Sequence, residues 1–336
     1  MKRSIASYGR TLKLGLGLAI TLAALRFDTR EDIARALGSD EAERGYELPR
    51  LAAPIRMAIT FDDLPRTGVP VAGYTSAQIM DSLRITLKKH AVEEAVGFFT
   101  GANLDGSPEE AASLRAFCED GHLLANHTFA HIGARLVTSR AFTADIAKNQ
   151  ALLERLVGEP CADSRYFRFP GLVRGAGPEA RATRRFLADE GYRIADVSID
   201  HADWSLADAW ARCTNQRNTH LSKALALTYI DNALGELHWS VDTARRLYGR
   251  SIPHVFLVHA NPLTAHLLDA LLTAYEKAGV QFIALEEALA DPAYAEEDSD
   301  AHGDGKLLEA AIHKRGLSGL RHLPEPLALF EAICTE

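Results

Sequence analysis

The 336-residue sequence predicts an α/β fold on parallel strands, closed into a barrel or left as an open sheet, and three observations point there. Short apolar, β-branched runs alternate with longer helix-like segments, the rhythm that parallel strands and crossover helices produce. Side chains able to do chemistry fall just past the ends of those apolar runs, where loops of such folds converge. The composition, 47% hydrophobic and 24% charged, excludes collagen-like, disordered and coiled-coil classes. The length suits one large α/β domain with appendages, or two modest ones.

The chain opens with Lys2, Arg3, Arg10 and Lys13 and no acid, followed by a 12-residue apolar run, LGLGLAITLAAL, at 14–25. Twelve residues cannot cross a hydrocarbon core, which takes about 20. A basic start before such a run resembles a secretory signal, although AALR at 23–26 offers no A-x-A cleavage site. Residues 1–50 are therefore expected to be a signal-like or anchoring segment with a linker. Export to a periplasm or to the outside is the expectation, with a cytoplasmic location left open and no multi-span membrane segment foreseen.

Strands are predicted at 56–61 (RMAITF), 95–100 (AVGFFT), 166–169, 193–199 (RIADVSI), 254–258 (HVFLV) and 280–285, with a short apolar piece at 123–125. Helices are predicted between them at 76–90, 108–120, 143–157, 178–190 and 263–278. Residues 205–250 interrupt the rhythm and read as two or three inserted helices. The stretch 291–305 holds six acids and no Lys or Arg, which predicts a solvated linker. A last helical piece at 306–336 is expected to pack back on the body. The predicted division is thus 1–50, a main domain at 51–291, and an acidic linker with a helical tail at 292–336.

Charge and cysteine content narrow the function. A net charge of −8 supplies no basic surface for a phosphate backbone, so nucleic acid is not an expected partner. Cys118, Cys161, Cys213 and Cys334 contain no CxxC pair, which excludes a zinc ribbon or a thioredoxin-like site. They read equally well as free buried thiols or as one or two disulfides of an exported chain.

Five strings lie at predicted strand ends: Thr60-Phe61-Asp62-Asp63, His127-Thr128-Phe129-Ala130-His131, Arg168-Phe169-Pro170, Asp200-His201-Ala202-Asp203-Trp204 and Leu257-Val258-His259. Singly each is weak. With 13 histidines in the chain, roughly half an H-x-x-x-H is expected by chance, and surface histidines near a helix start are the plainer reading of one pair. If metal-binding, the spacing predicts both imidazoles on one face of a helical turn. Asp62-Asp63 alone reads as a turn or cap, Asp200 and Asp203 as an N-cap with its neighbour, and Arg168 as a surface ion-pair partner. Trp204 alone reads as core, and His259 as a hydrogen-bonded buried histidine. Their joint occurrence outweighs these readings.

In this order the five strings resemble the motif set of the polysaccharide deacetylases, carbohydrate esterase family 4 with the NodB-homology fold, over roughly residues 56–289. The resemblance implies a distorted (β/α) barrel with fewer strands than the eight-fold type, here with a helical insertion and a C-terminal helical extension. It implies a metal-dependent hydrolase that removes N-acetyl or O-acetyl groups from sugars, with N-acetyl the first expectation. Asp63, His127 and His131 match the metal ligands; zinc is the default ion for such a set, with cobalt, nickel or iron also suited. Asp62 matches the general base and Arg168 the guanidinium that holds it ionised. His259 matches the general acid and Asp203 the carboxylate that orients it. The Gly171 N–H matches the main-chain oxyanion donor, where the family usually has an aromatic side chain. Trp204 and Leu257 match the apolar walls around the acetyl methyl. No chemistry is expected of His201, and at most a structural role of Asp200. The expected partner is an acetylated glycan. A small non-sugar amide is the alternative substrate, and a non-catalytic glycan-binding protein is a third reading. The glycan, the metal and the oligomeric state are not readable.

Overall fold

The computed structural model describes residues 54–158, 161, 165–297, 304–317, 320 and 327–335, so the signal-like segment lies outside the described residues. Among the described residues, eight parallel strands alternate with helices. They are β1 (Ile55–Leu64), β2 (Ala95–Phe99), β3 (Leu123–Asn126), β4 (Tyr166–Phe167), β5 (Arg193–Ile194), β6 (Ile199–Asp200), β7 (His254–His259) and β8 (Val280–Phe282). The sheet order is β5-β4-β3-β2-β1-β7-β6, with β8 beside the start of β1. The two end strands, β5 and β6, are consecutive in the chain. A run predicted as one strand at 193–199 therefore pairs with β4 at its start and β7 at its end, and residues 195–198 between them bring the sheet's edges together. The sheet thus curls into a distorted (β/α) barrel whose seam lies between β5 and β6.

Inward-facing residues show the closure. Ala58, Val96, Phe98, Ala125, Tyr166, Ala195 and Val255, drawn from β1 to β4, the β5–β6 run and β7, share one buried cluster. Small alanines leave room for the rings of Phe98 and Tyr166, while Met57 and Ile59, the neighbours of Ala58, are also buried. Burial on both faces explains why β1 reads as a continuous apolar run rather than an alternating one.

The crossover helices lie near their predicted positions: α1 (Ser76–Lys89), α2 (Pro108–Glu119), α3 (Ser139–Val157), α4 (Gly177–Asp189) and α7 (Pro262–Lys277). Each of α1, α2 and α3 begins at a Ser or Thr whose side chain accepts a first-turn N–H. The insertion is two helices, α5 (Asp203–Asn215) and the long α6 (Thr219–Tyr248). Residues 280–285 give a strand only to Phe282, after which α8 (Leu285–Leu289) begins.

Two expectations are corrected here. The acidic stretch is not solvated throughout: Pro292–Glu297 forms α9, and Ala293 and Tyr294 are buried, with the Tyr294 hydroxyl donating to Pro253 O at 3.1 Å. Two apolar side chains outweigh the surrounding acids, since Asp291 is neutralised by a two-pronged pair with Arg250. The reading of free thiols also fails, because Cys118 is joined to Cys161 and Cys213 to Cys334. The second bond ties α5 to the chain just past α11 (Leu327–Ala332), whose Phe330 carbonyl also accepts from Arg212. Helix α10 (Leu307–Lys314) buries Leu307 and Leu308 in the same cluster as Ala58. Among the described residues no helix is long and apolar enough to cross a membrane.

Candidate active site

A cleft of about 450 Å³ opens at the carboxyl ends of the strands, lined by Asp62, Asp63, His127, His131, Gly171, Leu172, Asp200, Trp204, Leu257 and His259, with others. Arg168 and Asp203 stand buried behind it. All ten residues singled out in the sequence thus lie in or against one cleft.

Consecutive residues of a strand normally point to opposite faces. Asp62 and Asp63 both reach the cleft because β1 bulges there. Phe61 pairs with Gly97 while Leu64 pairs with Phe99, so three steps on β1 match two on β2. Asp63 absorbs the extra residue in the left-handed region, at φ 64°. Asn103 holds it there, donating its side-chain amide to Asp63 O at 3.1 Å.

The histidine pair is brought together differently from the expected helical turn. His127 and His131 lie on a loop after β3, with Thr128 at φ 69° and His131 at φ 52°. A side-chain scaffold invisible in the motif stabilises this path. Asp145 on α3 accepts from the Phe129 and Ala130 N–H groups at 2.8 and 2.9 Å, and Asn126 accepts from Thr128 N–H at 2.9 Å. These carboxylate and amide acceptors replace the helical bonds that three loop residues would otherwise make. Asn149 braces the scaffold, donating to Asn126 Oδ1 and to Phe99 O. Left-handed conformations cost non-glycine residues about 1–2 kcal/mol each. Asp63, Thr128, His131, Leu172 and Ala202 all adopt one around the cleft, a clustering typical of sites whose surroundings over-determine the backbone.

One donor oxygen of Asp63 and one ring nitrogen each of His127 and His131 lie within 4.8 Å of one another. Asp63 Oδ1 is 3.3 Å from His131 Nε2 and 3.9 Å from His127 Nε2. His127 Nδ1 lies 2.9 Å from the Arg168 carbonyl, which can only accept, so Nδ1 carries the proton and Nε2 keeps its lone pair toward Asp63. Burial lowers the His127 pKa to about 3, so the ring is neutral at physiological pH, as a metal ligand must be. One carboxylate and two imidazoles suit a divalent ion with open positions, and these residues fit that group.

Beside this cluster Asp62 is tied down. Arg168 Nη1 donates to Asp62 Oδ1 at 2.6 Å and to Thr60 Oγ1 at 2.8 Å, while its Nε donates to Ala195 O at 3.1 Å. The guanidinium lies 4.0 Å from the centre of the Phe98 ring, inside the barrel. A fully buried arginine with a fixed fork holds one carboxylate oxygen and leaves the other, 3.6 Å from His127 Nε2, on the cleft side.

Across the cleft, His259 Nδ1 donates to Asp203 Oδ1 at 2.7 Å. Asp203 Oδ2 also accepts from His259 N–H, Asn261 Nδ2 and Thr264 Oγ1 at 3.0, 2.7 and 3.2 Å. Burial opposes charge on both partners, yet the pair prevails. Asp203 is held below the usual carboxylate range, and His259 is pushed up to about 10 by Asp203 with help from Asp63 and Asp62. Its Nε2 is the nitrogen that can serve the cleft. Trp204, 43% exposed, and Leu257 form apolar walls, so Trp204 is a rim residue rather than core. Gly171 sits at φ 59°, a backbone that any side chain would strain, although a Cβ there would find its nearest neighbour, Val173, at 3.8 Å. The glycine thus answers to the turn rather than to crowding. His201 is buried between Tyr229 and Phe256, and Asp200 lines the cleft while capping Ala202 N–H at 2.9 Å.

Asn261 and Thr264 lie outside the five strings, and Thr60, which opens the first, is given no role by them although it accepts from Arg168. Asn261 was the readable one, since Asn before Pro262 signals a helix N-cap directly after His259.

The sequence profile of the polysaccharide deacetylases matches residues 52–195. Over those residues the chain resembles that family. It is 24% identical over 192 residues to a peptidoglycan-N-acetylglucosamine deacetylase of Bacillus cereus, covering 57% of this chain and 61% of that one. It is 28% identical over 191 residues to a chitin deacetylase of Colletotrichum lindemuthianum, covering 55% and 66%. The solved chitin deacetylase of that fungus shares the fold, with a TM-score of 0.50 at 21% identity over 72% of this chain and 90% of that one. The chain spans 61% of the length of the Bacillus relative and 40% of a Listeria monocytogenes peptidoglycan-N-acetylglucosamine deacetylase it also matches.

Proposed function

We propose that this protein is a metal-dependent deacetylase of an N-acetylated carbohydrate, with Asp63, His127 and His131 as ligands and zinc as the ion. The observation that supports it most is a clamped carboxylate and a charged imidazole facing each other across one cleft, beside a fitting ligand set. When bound, the ion supplies Lewis acidity to an acyl carbonyl and makes a water more acidic.

The chain's own residues do the rest. Asp62 accepts the proton of the attacking water, and Arg168 keeps that carboxylate aimed until it does. The Gly171 N–H donates to the oxygen that gains charge in the tetrahedral state. His259 gives its proton to the leaving amine nitrogen as the C–N bond breaks, and Asp203 favours the imidazolium beforehand. Trp204 and Leu257 enclose the acetyl methyl. Among the described residues, four carboxylates and no lysine or arginine line the cleft, which favours a neutral or amine-bearing glycan over a polyanionic one.

Chitin and peptidoglycan, substrates named for the relatives, are therefore the first candidates. Two disulfides and the basic, apolar chain start support an exported protein, since such bonds persist in oxidising compartments. Acetate release from chitin oligosaccharides, peptidoglycan, acetylated xylan and small acetamides by the zinc-loaded protein tests the reading. Release from the first two supports it. Release from the amides alone makes the protein a small-amide hydrolase, and release from none makes it a glycan-binding protein or leaves no role for this chemistry.

A further inference from the structure

The barrel seam between β5 and β6 is spanned by a segment that the mechanism above does not use, residues 304–307. On one side, Asp304 Oδ1 accepts from the Arg174 and Gly175 N–H groups at 2.9 and 3.0 Å, and its other oxygen pairs with Arg135. Gly305 N–H donates to Leu172 O at 3.0 Å. These bonds fix the loop 171–175, whose Gly171 and Leu172 line the cleft. On the other side, Leu307 N–H donates to Val197 O at 2.8 Å and Lys306 Nζ to Asp200 O at 3.2 Å. The Lys306 ammonium also meets Glu236 at 3.6 Å and Glu309 at 3.3 Å. Both flanks of the seam are thus bonded to four consecutive residues.

We infer that residues 304–307 are a strap that sets the distance between the Gly171 loop and the strand end bearing Asp200, with Asp304 as a positioning residue for the Gly171 N–H. Two consecutive left-handed residues, Gly171 at φ 59° and Leu172 at φ 56°, give this loop a conformation it would not hold unaided. The strap supplies backbone bonds from outside the loop at Leu172, Arg174 and Gly175, beside the buried ion pair by which Arg174 meets Asp196 of the β5–β6 run directly. Asp304 is chemically suited to this, because one carboxylate oxygen can take two neighbouring backbone donors at once. The role of the Gly171 N–H rests on the deacetylase reading, whereas the mechanical coupling does not.

Hydrogen–deuterium exchange and steady-state kinetics on the full-length metal-loaded protein test the two parts separately. Asp304→Ala should lose amide protection at 171–175 and lower kcat roughly 10- to 100-fold, with KM and metal content little changed. Asp304→Asn, whose amide oxygen can still accept both N–H groups, should restore most of both. Asp304→Glu keeps the charge and the Arg135 pair but displaces the loop by a methylene, so its kcat should fall by roughly threefold or more at unchanged melting temperature. The inference is overturned if Asp304→Ala leaves exchange at 171–175 unchanged, if Asp304→Asn is as impaired as Asp304→Ala, or if metal content and melting temperature fall in step with kcat. A wild-type protein that releases no acetate, yet loosens at 171–175 on Asp304→Ala, overturns the proposed activity and leaves the strap standing.

Discussion

His127 and His259 stand on opposite sides of one cleft and each gives its Nδ1 proton to an oxygen, yet they are opposites electrically. His127 donates to a backbone carbonyl at 2.9 Å, and burial takes its pKa down to about 3. His259 donates to the Asp203 carboxylate at 2.7 Å and, against the same burial, is pushed up to about 10. A neutral acceptor fixes a tautomer without paying back the loss of hydration that charge requires. A buried carboxylate with four donors reverses the balance. The choice of a single acceptor thus leaves one imidazole neutral and the other charged, the states that the proposed ligand and the proposed acid require.

The two sides should respond differently to deletion. The largest effect is expected from His127→Ala, which removes one of three ligands: zinc content by elemental analysis should fall steeply and turnover with it. Undiminished metal would mean that the cluster is not the ligand set. Asp62→Asn should instead keep the metal and lower kcat by about 10²–10⁴-fold, the usual span for a lost general base. Near-normal acetate release from that variant would remove Asp62 from the role.

The asymmetry was only half legible in the sequence. Strand and helix positions were readable because apolar runs and caps are local signals, and the motif residues were readable because they fall at strand ends. Which acceptor each histidine meets was not, since Arg168 O reaches His127 across 41 residues and Asp203 reaches His259 across 56. The spacing of His127 and His131 predicts a helical turn, whereas their path is a loop, because its bonds go to Asp145 and Asn126, whose identity as acceptors depends on where α3 packs. Likewise the acids of 291–305 suggest solvent, whereas Ala293 and Tyr294 enter a core assembled from distant strands. Even the barrel's closure rests on two short pairings, β4 with β5 and β6 with β7, that one apolar run could not disclose.

On the other side of the cleft, His259→Ala should lower kcat by about 10²-fold while leaving metal content intact. A coincident loss of metal would place His259 in the ligand cluster instead. Asp203→Asn sharpens the comparison, because it gives His259 a neutral acceptor like that of His127. Proton titration of the His259 ring by NMR in the metal-free protein should then move from about 10 to below the ordinary histidine value of 6.5, and kcat at neutral pH should fall with it. A ring that stays charged above pH 8 in that variant would show that Asp62 and Asp63, not Asp203, hold the proton.

The smallest effect lies in stability, and its sign differs between the two rings. A histidine raised to about 10 stabilises the folded state fully below its unfolded value of 6.5, and that contribution is lost as pH climbs from 6.5 through 10. A histidine lowered to about 3 contributes nothing above 6.5 and a growing penalty as pH falls from there toward 3, because the unfolded chain binds the proton first. His122 and His254, each lowered to about 4 by burial, add to that acid flank. Denaturant unfolding of the metal-free protein should therefore show the wild type losing its advantage over His259→Gln between pH 6.5 and 10, and losing ground to His127→Gln between 6.5 and 3. Each change should be on the order of 1 kcal/mol or more. If both differences ran in the same direction with pH, the two imidazoles would share one electrostatic character, and the division of labour across the cleft would have to be abandoned.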